Sequence, residues 1–433
     1  SGLMRIAVFG AGAIGGHVAF RLARGGADVS VVARGAYLEA IRERGITVRA
    51  RDVTDTVRVR ASDDPRELGV QDAVITTAKA HSLPEIGRTI GPLLGPDTPV
   101  AFVVNGIPWW YFHRHGGEHD GRRIERLDPG GVLWDGVGIA RAIGGVVYSA
   151  CTVLEPGVIH AENPSNRVIF GEPDGTISER AEAIAAALRA GGMGGEVVPD
   201  MRVAVWEKLA GNMGNGPLAI LAGRKMKEYM AHPAVFQAAI RAMEECHAVA
   251  RAWGCEVKAD SAKRAAANAA SSHKPSILQD MEFGKPMEVD AQLVVPLELA
   301  RLAGVETPTL DLTIALAVER ARGGAQLLHD RLEPGDVLGR DPLGGEPRGD
   351  PLQCRADQPH LMRLLRREGD PGTAPRLGHH HPFLFEPLQR RLDGAGRDAE
   401  RGRELPLRQP RTRREPAGGD RITDLPVDLL GHR

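Results

Sequence analysis

The sequence predicts an α/β Rossmann-type N-terminal domain followed by an all-α C-terminal domain, and three observations carry that prediction. An apolar run at Arg5-Ile6-Ala7-Val8-Phe9 is closed by a glycine-rich turn. Short runs rich in β-branched residues then recur with helical segments between them. After Pro199 the texture changes to long helical patterns. In order, residues 5 to 34 read as strand, turn, helix and strand: Ile14, Val18, Leu22 and Ala23 share one helical face, and Val29, Val31 and Val32 rebuild a strand. A βαβ unit implies a parallel sheet. Further buried strands are expected at residues 73–77 and 100–104, with a helix near 83–94 between them. Residues 108–142 carry Gly, His, Arg and Asp with a few tryptophans and read as a long loop or insertion. Strands resume at 145–148 and 168–170, and a helix is expected over 178–191. Beyond Pro199, helices are expected at 202–215, 232–253, 259–270, 285–303 and 309–322. The domains expected are therefore 4–200 for the Rossmann part and 201–326 for the helical part. Residues 327–433 form a tail of low order, rich in Arg, Pro and Gly, without lysine and without a sustained period. Such a composition also arises when GC-rich DNA is read in a shifted frame, and both origins stay open.

Composition narrows the function. The 433 residues hold 55 Lys+Arg against 56 Asp+Glu, so no net field recruits nucleic acid or an acidic membrane surface. No apolar run approaches the roughly 20 residues of a membrane-spanning helix. The four cysteines, Cys151, Cys246, Cys255 and Cys354, lie far apart in no metal-ligand spacing, and no signal peptide precedes the first strand. The expectation is a cytoplasmic enzyme acting on a small molecule, without a metal, with a homodimer as one assembly compatible with it. Ser1-Gly2-Leu3 ahead of Met4 reads as an expression remnant or an upstream start.

The chemistry begins at Gly10-Ala11-Gly12-Ala13-Ile14-Gly15, which closes a strand and opens a helix. In that context the glycines take a tight turn and let the backbone approach a pyrophosphate at the helix N-terminus. Nineteen residues after Gly15, at the end of the second strand, Arg34 stands where a ribose-binding acid is usual. A guanidinium there pairs with the 2′-phosphate that only NADP carries. Lys79 and Asn105-Gly106 each follow a strand, at the edge where open α/β sheets bind ligands; alone, a surface lysine and an ordinary turn are the simpler readings. Lys208 and Asn212 are four apart and share a helix face. A lysine flanked by Trp206 and Leu209 would be partly desolvated, which lowers its pKa and suits it to proton transfer; for the segment alone, a surface lysine on an amphipathic helix is the simpler reading. Ser276 and, twelve residues on, Glu288 read in isolation as a helix cap and a solvated helix face.

Taken together, Gly10 to Gly16, Arg34, Thr77-Ala78-Lys79-Ala80, Asn105-Gly106, Lys208 with Asn212, Ser276 to Asp280 and Glu288-Val289-Asp290 resemble the ketopantoate reductases (2-dehydropantoate 2-reductases), within the larger group shaped like 6-phosphogluconate dehydrogenase. The likeness covers residues 4 to about 325. It implies a Rossmann domain holding NADPH, a helical domain closing over it, a 2-oxo acid between them, and a place in pantothenate biosynthesis. It further implies that Lys208 is the general acid, that Glu288 binds substrate, that Asn105 and Lys79 lie by the nicotinamide, and that Ser276 and Asn212 hold the substrate's carboxylate and hydroxyl groups. Two departures stand out: Gly216 occupies the place of the family's second asparagine, with Asn215 one residue early, and the segment from Pro108 to Tyr111 lacks the usual glycine-rich continuation. Pro217 is expected to break the helix beside Gly216. Trp109 and Trp110 either reshape the cleft or pack in the core. Two further readings remain: the same scaffold acting on a different oxo or hydroxy acid, and a sensor that binds NADP without turnover.

Overall fold

The computed structural model describes residues 2–162 and 165–329. The expected tail lies outside them, apart from its first three residues, which continue the last helix. The chain runs β1 (Arg5–Phe9), α1 (Ala13–Arg24), β2 (Asp28–Val32), α2 (Gly35–Arg44), β3 (Ile46–Ala50), β4 (Thr54–Val57), β5 (Arg60–Ser62), β6 (Ala73–Thr76), α3 (Leu83–Thr89), β7 (Val100–Val103) and β8 (Ala142–Tyr148). It continues with β9 (Cys151–Glu155), β10 (Val158–Ala161), β11 (Arg167–Gly171), α4 (Glu179–Ala190) and β12 (Gly194–Val197). Helices follow: α5 (Met201–Ala222), α6 (Met226–Tyr229), α7 (Pro233–Ala252), α8 (Ser261–Ala269), α9 (Ser276–Glu282), α10 (Val295–Leu302) and α11 (Pro308–His329).

The main sheet has the order β12-β11-β8-β7-β6-β1-β2-β5. Its strands from β5 to β8 are mutually parallel, and β11 runs antiparallel to β8. Their carboxyl ends therefore lie along one edge, which gathers Gly10, Thr77 to Lys79, Asn105 and Tyr148. A second sheet, β4-β3-β10-β9, flanks α1.

Apolar packing ties the two halves together. One face of the main sheet is buried under α1 and α4 with Phe20, Ile46 and Ile159. The other face shares a continuous core with the helical half, from Phe102 through Trp109 to Met201, Trp206 and Leu278. Within the helices, α5 is the hub, packing against α7, α9 and α11.

Two expectations need correction. The segment 108–141 has no strand, as expected, and it contributes to the core: Trp109, Trp110, Tyr111 and Phe112 are buried, and buried Asp128 accepts hydrogen bonds from the Leu133 and Trp134 amides. Helix α5 runs through Pro217 to Ala222 instead of ending near 215. Proline removes only the hydrogen bond that Met213 would receive, and burial of both flanks holds the helical geometry against that loss. The helix expected from 285 starts only after Glu288, and its first turn, Asp290–Val294, is a π-turn.

Candidate active site

The glycine-rich turn fits a pyrophosphate. Gly10 has φ +108°, and a Cβ on Gly15 would overlap the Gly10 carbonyl, so both positions serve the tight turn. A Cβ on Gly12 would meet nothing within 4 Å. The side of the turn that a phosphate would approach is thus open. Helix α1 begins there with no side-chain cap and no acid in its first turn, leaving amides and a positive dipole end free for an anion. Arg34 stands two residues past β2 at the N-cap of α2, 60% exposed, with its guanidinium 2.8 Å from Glu85 on α3.

A hydrogen-bonded chain crosses from the sheet edge to the helices. The Glu288 carboxylate, buried, accepts from the Ala80 amide at 3.1 Å, the Asn105 side-chain amide at 3.2 Å and the Gln292 side-chain amide at 3.1 Å. Gln292 in turn accepts from Asn212 Nδ2 at 3.1 Å. Lys79 spans the same gap, 2.6 Å from Asp280 on α9 and donating to the Pro286 carbonyl at 3.1 Å. Gln292, absent from the sequence-based site, was legible as the residue one helical turn beyond Glu288.

Gly106 makes this junction possible. Its φ is +86°, and a Cβ there would overlap the Ala291 carbonyl, which accepts from the Ile107 amide at 2.8 Å. Ala291 lies in the π-turn, and Pro296, five residues on, has no N–H to offer that carbonyl. Gly106→Ala is expected to destabilise the fold by about 2–4 kcal/mol, combining the positive φ with the lost hydrogen bond. Urea denaturation checks this, and an unchanged midpoint would contradict it.

Lys208 lies one turn before Asn212 on α5. Its ammonium donates to the Val147 carbonyl at the end of β8 and sits 5.7 Å from the Tyr148 ring centre. Burial pushes its pKa down from the usual lysine range to about 8; Glu288 opposes the shift and the Arg264 charge adds to it. The residue as a whole is half-buried, but its ammonium end is densely surrounded. The direction matches the expectation from the sequence while the flank invoked does not. Trp206 points into the core, where its indole donates to the Tyr111 hydroxyl at 2.8 Å. The enclosure of Lys208 comes from β8.

The remaining site candidates divide. Ser276 is the exposed first residue of α9 and makes no cap bond; Pro275 holds the cap position. Gly216 faces α9, where a Cβ would lie 3.2 Å from Ile277 Cγ2. Asn215 is buried and donates to the Gly211 carbonyl of its own helix at 2.8 Å. It presents no amide to the Lys208 cluster in the manner of Asn212. Trp109 and Trp110 pack in the core and do not line the cleft.

This arrangement joins a dinucleotide-type turn to a lysine of depressed pKa and a polar relay. The family model for ketopantoate reductase PanE/ApbA matches residues 6–175, and its C-terminal counterpart matches residues 200–321. A 2-dehydropantoate 2-reductase of Mesorhizobium japonicum is 41% identical over 324 residues, covering 73% of this chain and 99% of the relative. A solved structure of a candidate ketopantoate reductase from Ralstonia solanacearum MolK2 superposes with a TM-score of 0.70 at 34% identity, over 75% of this chain and 99% of the other. A 2-dehydropantoate 2-reductase structure from Geobacter metallireducens GS-15 gives 0.64 at 27% identity, over 73% and 99%. Among the described residues no helix is long and apolar enough to cross a membrane. With both halves of the described chain matched, the chain belongs to the ketopantoate reductase family, pyridine-nucleotide-dependent oxidoreductases.

Proposed function

We propose that this protein reduces 2-dehydropantoate to pantoate with NADPH, using residues 4–200 to hold the cofactor and residues 201–326 to hold the substrate. The observation that carries the reading is the Asn105–Glu288–Gln292–Asn212 relay beside Lys208, at the carboxyl edge of the parallel strands. A sensor needs the nucleotide site alone; the relay and the depressed lysine pKa favour an enzyme.

When bound, the dihydronicotinamide supplies a hydride to the keto carbon. Gly10 to Gly15 and the α1 N-terminus would hold the pyrophosphate, Arg34 the 2′-phosphate, and Lys79 and Asn105 would lie by the nicotinamide. Lys208 gives its proton to the carbonyl oxygen as negative charge develops there. Ser276, from the rim, and Asn212 would hold the substrate's carboxylate and hydroxyl groups, with Glu288 also binding the substrate.

Turnover measured as NADPH oxidation across a panel of 2-oxo acids tests the proposal. The expected result is highest kcat/KM for 2-dehydropantoate. A different 2-oxo acid as best substrate is the second reading, motivated by Gly216 in place of an asparagine. Gly216→Asn is a poor probe of it, because the new side chain must displace Ile277. No oxidation with any member would leave the sensor reading.

Cofactor choice has its own test. Arg34→Ala is expected to weaken NADPH binding about tenfold to a hundredfold, the contribution of a charge-assisted hydrogen bond, and to leave NADH binding unchanged. Fluorescence titration reads both. Equal affinities for the two cofactors in the unaltered protein would contradict the assignment of Arg34.

A further inference from the structure

We propose that Arg264 binds the carboxylate of the anionic substrate, as a specificity-determining residue beside Lys208 that the sequence pattern did not single out; this deepens the reductase reading and rests on it. Arg264 lies on α8 and reaches across to α5, where its Nη1 donates to the Glu207 carbonyl at 2.7 Å. That bond fixes one donor of a fork that carries five. Among the described residues no carboxylate forms an ion pair with it.

Gly211 makes the placement possible. A Cβ at that position would fall inside the guanidinium, so the bare helix backbone is what lets the group lie against α5. Gly211 is three residues after Lys208 and one before Asn212, so the cation sits within a turn of both. Its field reaches Lys208 and Tyr148: it adds to the downward shift that burial gives Lys208 and opposes the upward shift that burial gives Tyr148. A half-buried guanidinium with spare donors, next to a second cation, favours an anion with two parallel acceptor oxygens. A carboxylate adjacent to a keto group offers that fork, while its keto oxygen lies toward the lysine. Docking the anion would also relieve the repulsion that Arg264 exerts on the Lys208 ammonium. Substrate binding and retention of the transferable proton are thereby coupled.

The probe is oxamate, which sets a carboxylate beside a carbonyl, compared with its uncharged analogue oxamide. Calorimetric titration into the full chain saturated with NADP⁺ is expected to show oxamate binding at least tenfold tighter than oxamide. In Arg264→Gln the oxamate Kd is expected to rise at least tenfold with the NADP⁺ Kd kept, and Arg264→Lys should recover part of the loss. Equal affinity for oxamate and oxamide in the unaltered protein, or an oxamate Kd in Arg264→Gln within twofold of the original, would overturn the proposal. If Arg264→Gln does not fold, the oxamate-to-oxamide ratio in the unaltered protein and in Arg264→Lys still decides: a ratio unchanged by lysine counts against recognition by the guanidinium fork. Failure of the reductase reading would appear separately, as oxamate binding without turnover of any 2-oxo acid.

Discussion

Lys208→Ala is expected to lower kcat by about 10²–10⁴, the range for a positioned acid, while NADPH binding stays within a few-fold. The expectation follows from an ammonium held at the end of β8, within the field of Glu288, with its pKa brought down to about 8 by burial. A general acid works in its protonated form. Activity in the reductive direction should therefore be full below about pH 8 and fall as pH rises through that value, well below the ordinary lysine range. The fall is read in the single-turnover rate, which product release does not limit. A variant with the original kcat, or one whose alkaline limb is identical to that of the unaltered protein, would remove Lys208 from the reaction.

The second large effect is on binding. Glu288→Ala is expected to raise KM for the 2-oxo acid about tenfold to a hundredfold, equivalent to one or two charge-assisted hydrogen bonds. In the structure this carboxylate already ties Ala80 and Asn105 of the sheet edge to Gln292 of the helical half. Its loss should therefore loosen the junction as well as the substrate. Glu288→Gln separates the two contributions, because an amide oxygen still accepts from Ala80 while the charge is gone. Steady-state kinetics and a thermal melt on both variants check this, and an unchanged KM in Glu288→Ala would refute the assignment to substrate.

How much of this could be read from the sequence depended on burial. The parallel strands β1, β2, β6 and β7 are buried on both faces and appear as continuous apolar runs, so they were legible with their ends nearly correct. The second sheet was not. Its strands Thr54–Val57 and Cys151–Glu155 are largely exposed and carry Thr, Asp and Glu, which hide the period-2 pattern. Helix α2 escaped because its buried positions, Leu38, Ala40 and Ile41, fall within four residues and leave no repeat over two turns, and Arg and Glu fill its last turn. At Pro217 local propensity gave the wrong answer, since tertiary packing of α5 against α7 and α9 outweighs one missing hydrogen bond.

The site was legible as residues and illegible as connections. Spacing placed Lys208 with Asn212 on one face, and strand ends placed Lys79 and Asn105 at one edge. Nothing in the sequence showed that Glu288 would be held by Asn105 across the two halves. Arg264 was hidden for the same reason: its relation to Lys208 exists only because α8 packs beside Gly211.

In the proposed reaction a 2-oxo acid is reduced at its keto carbon within the cleft between the sheet edge and α5. Incubation with NADPH deuterated at nicotinamide C4 and 2-dehydropantoate, followed by mass spectrometry and NMR of the product, tests it most directly. The expected product is pantoate carrying a single deuterium at C2, formed at a rate that collapses in Lys208→Ala. Deuterated NADPH that stays unoxidised with this and every other 2-oxo acid, despite tight binding to the protein, would contradict it.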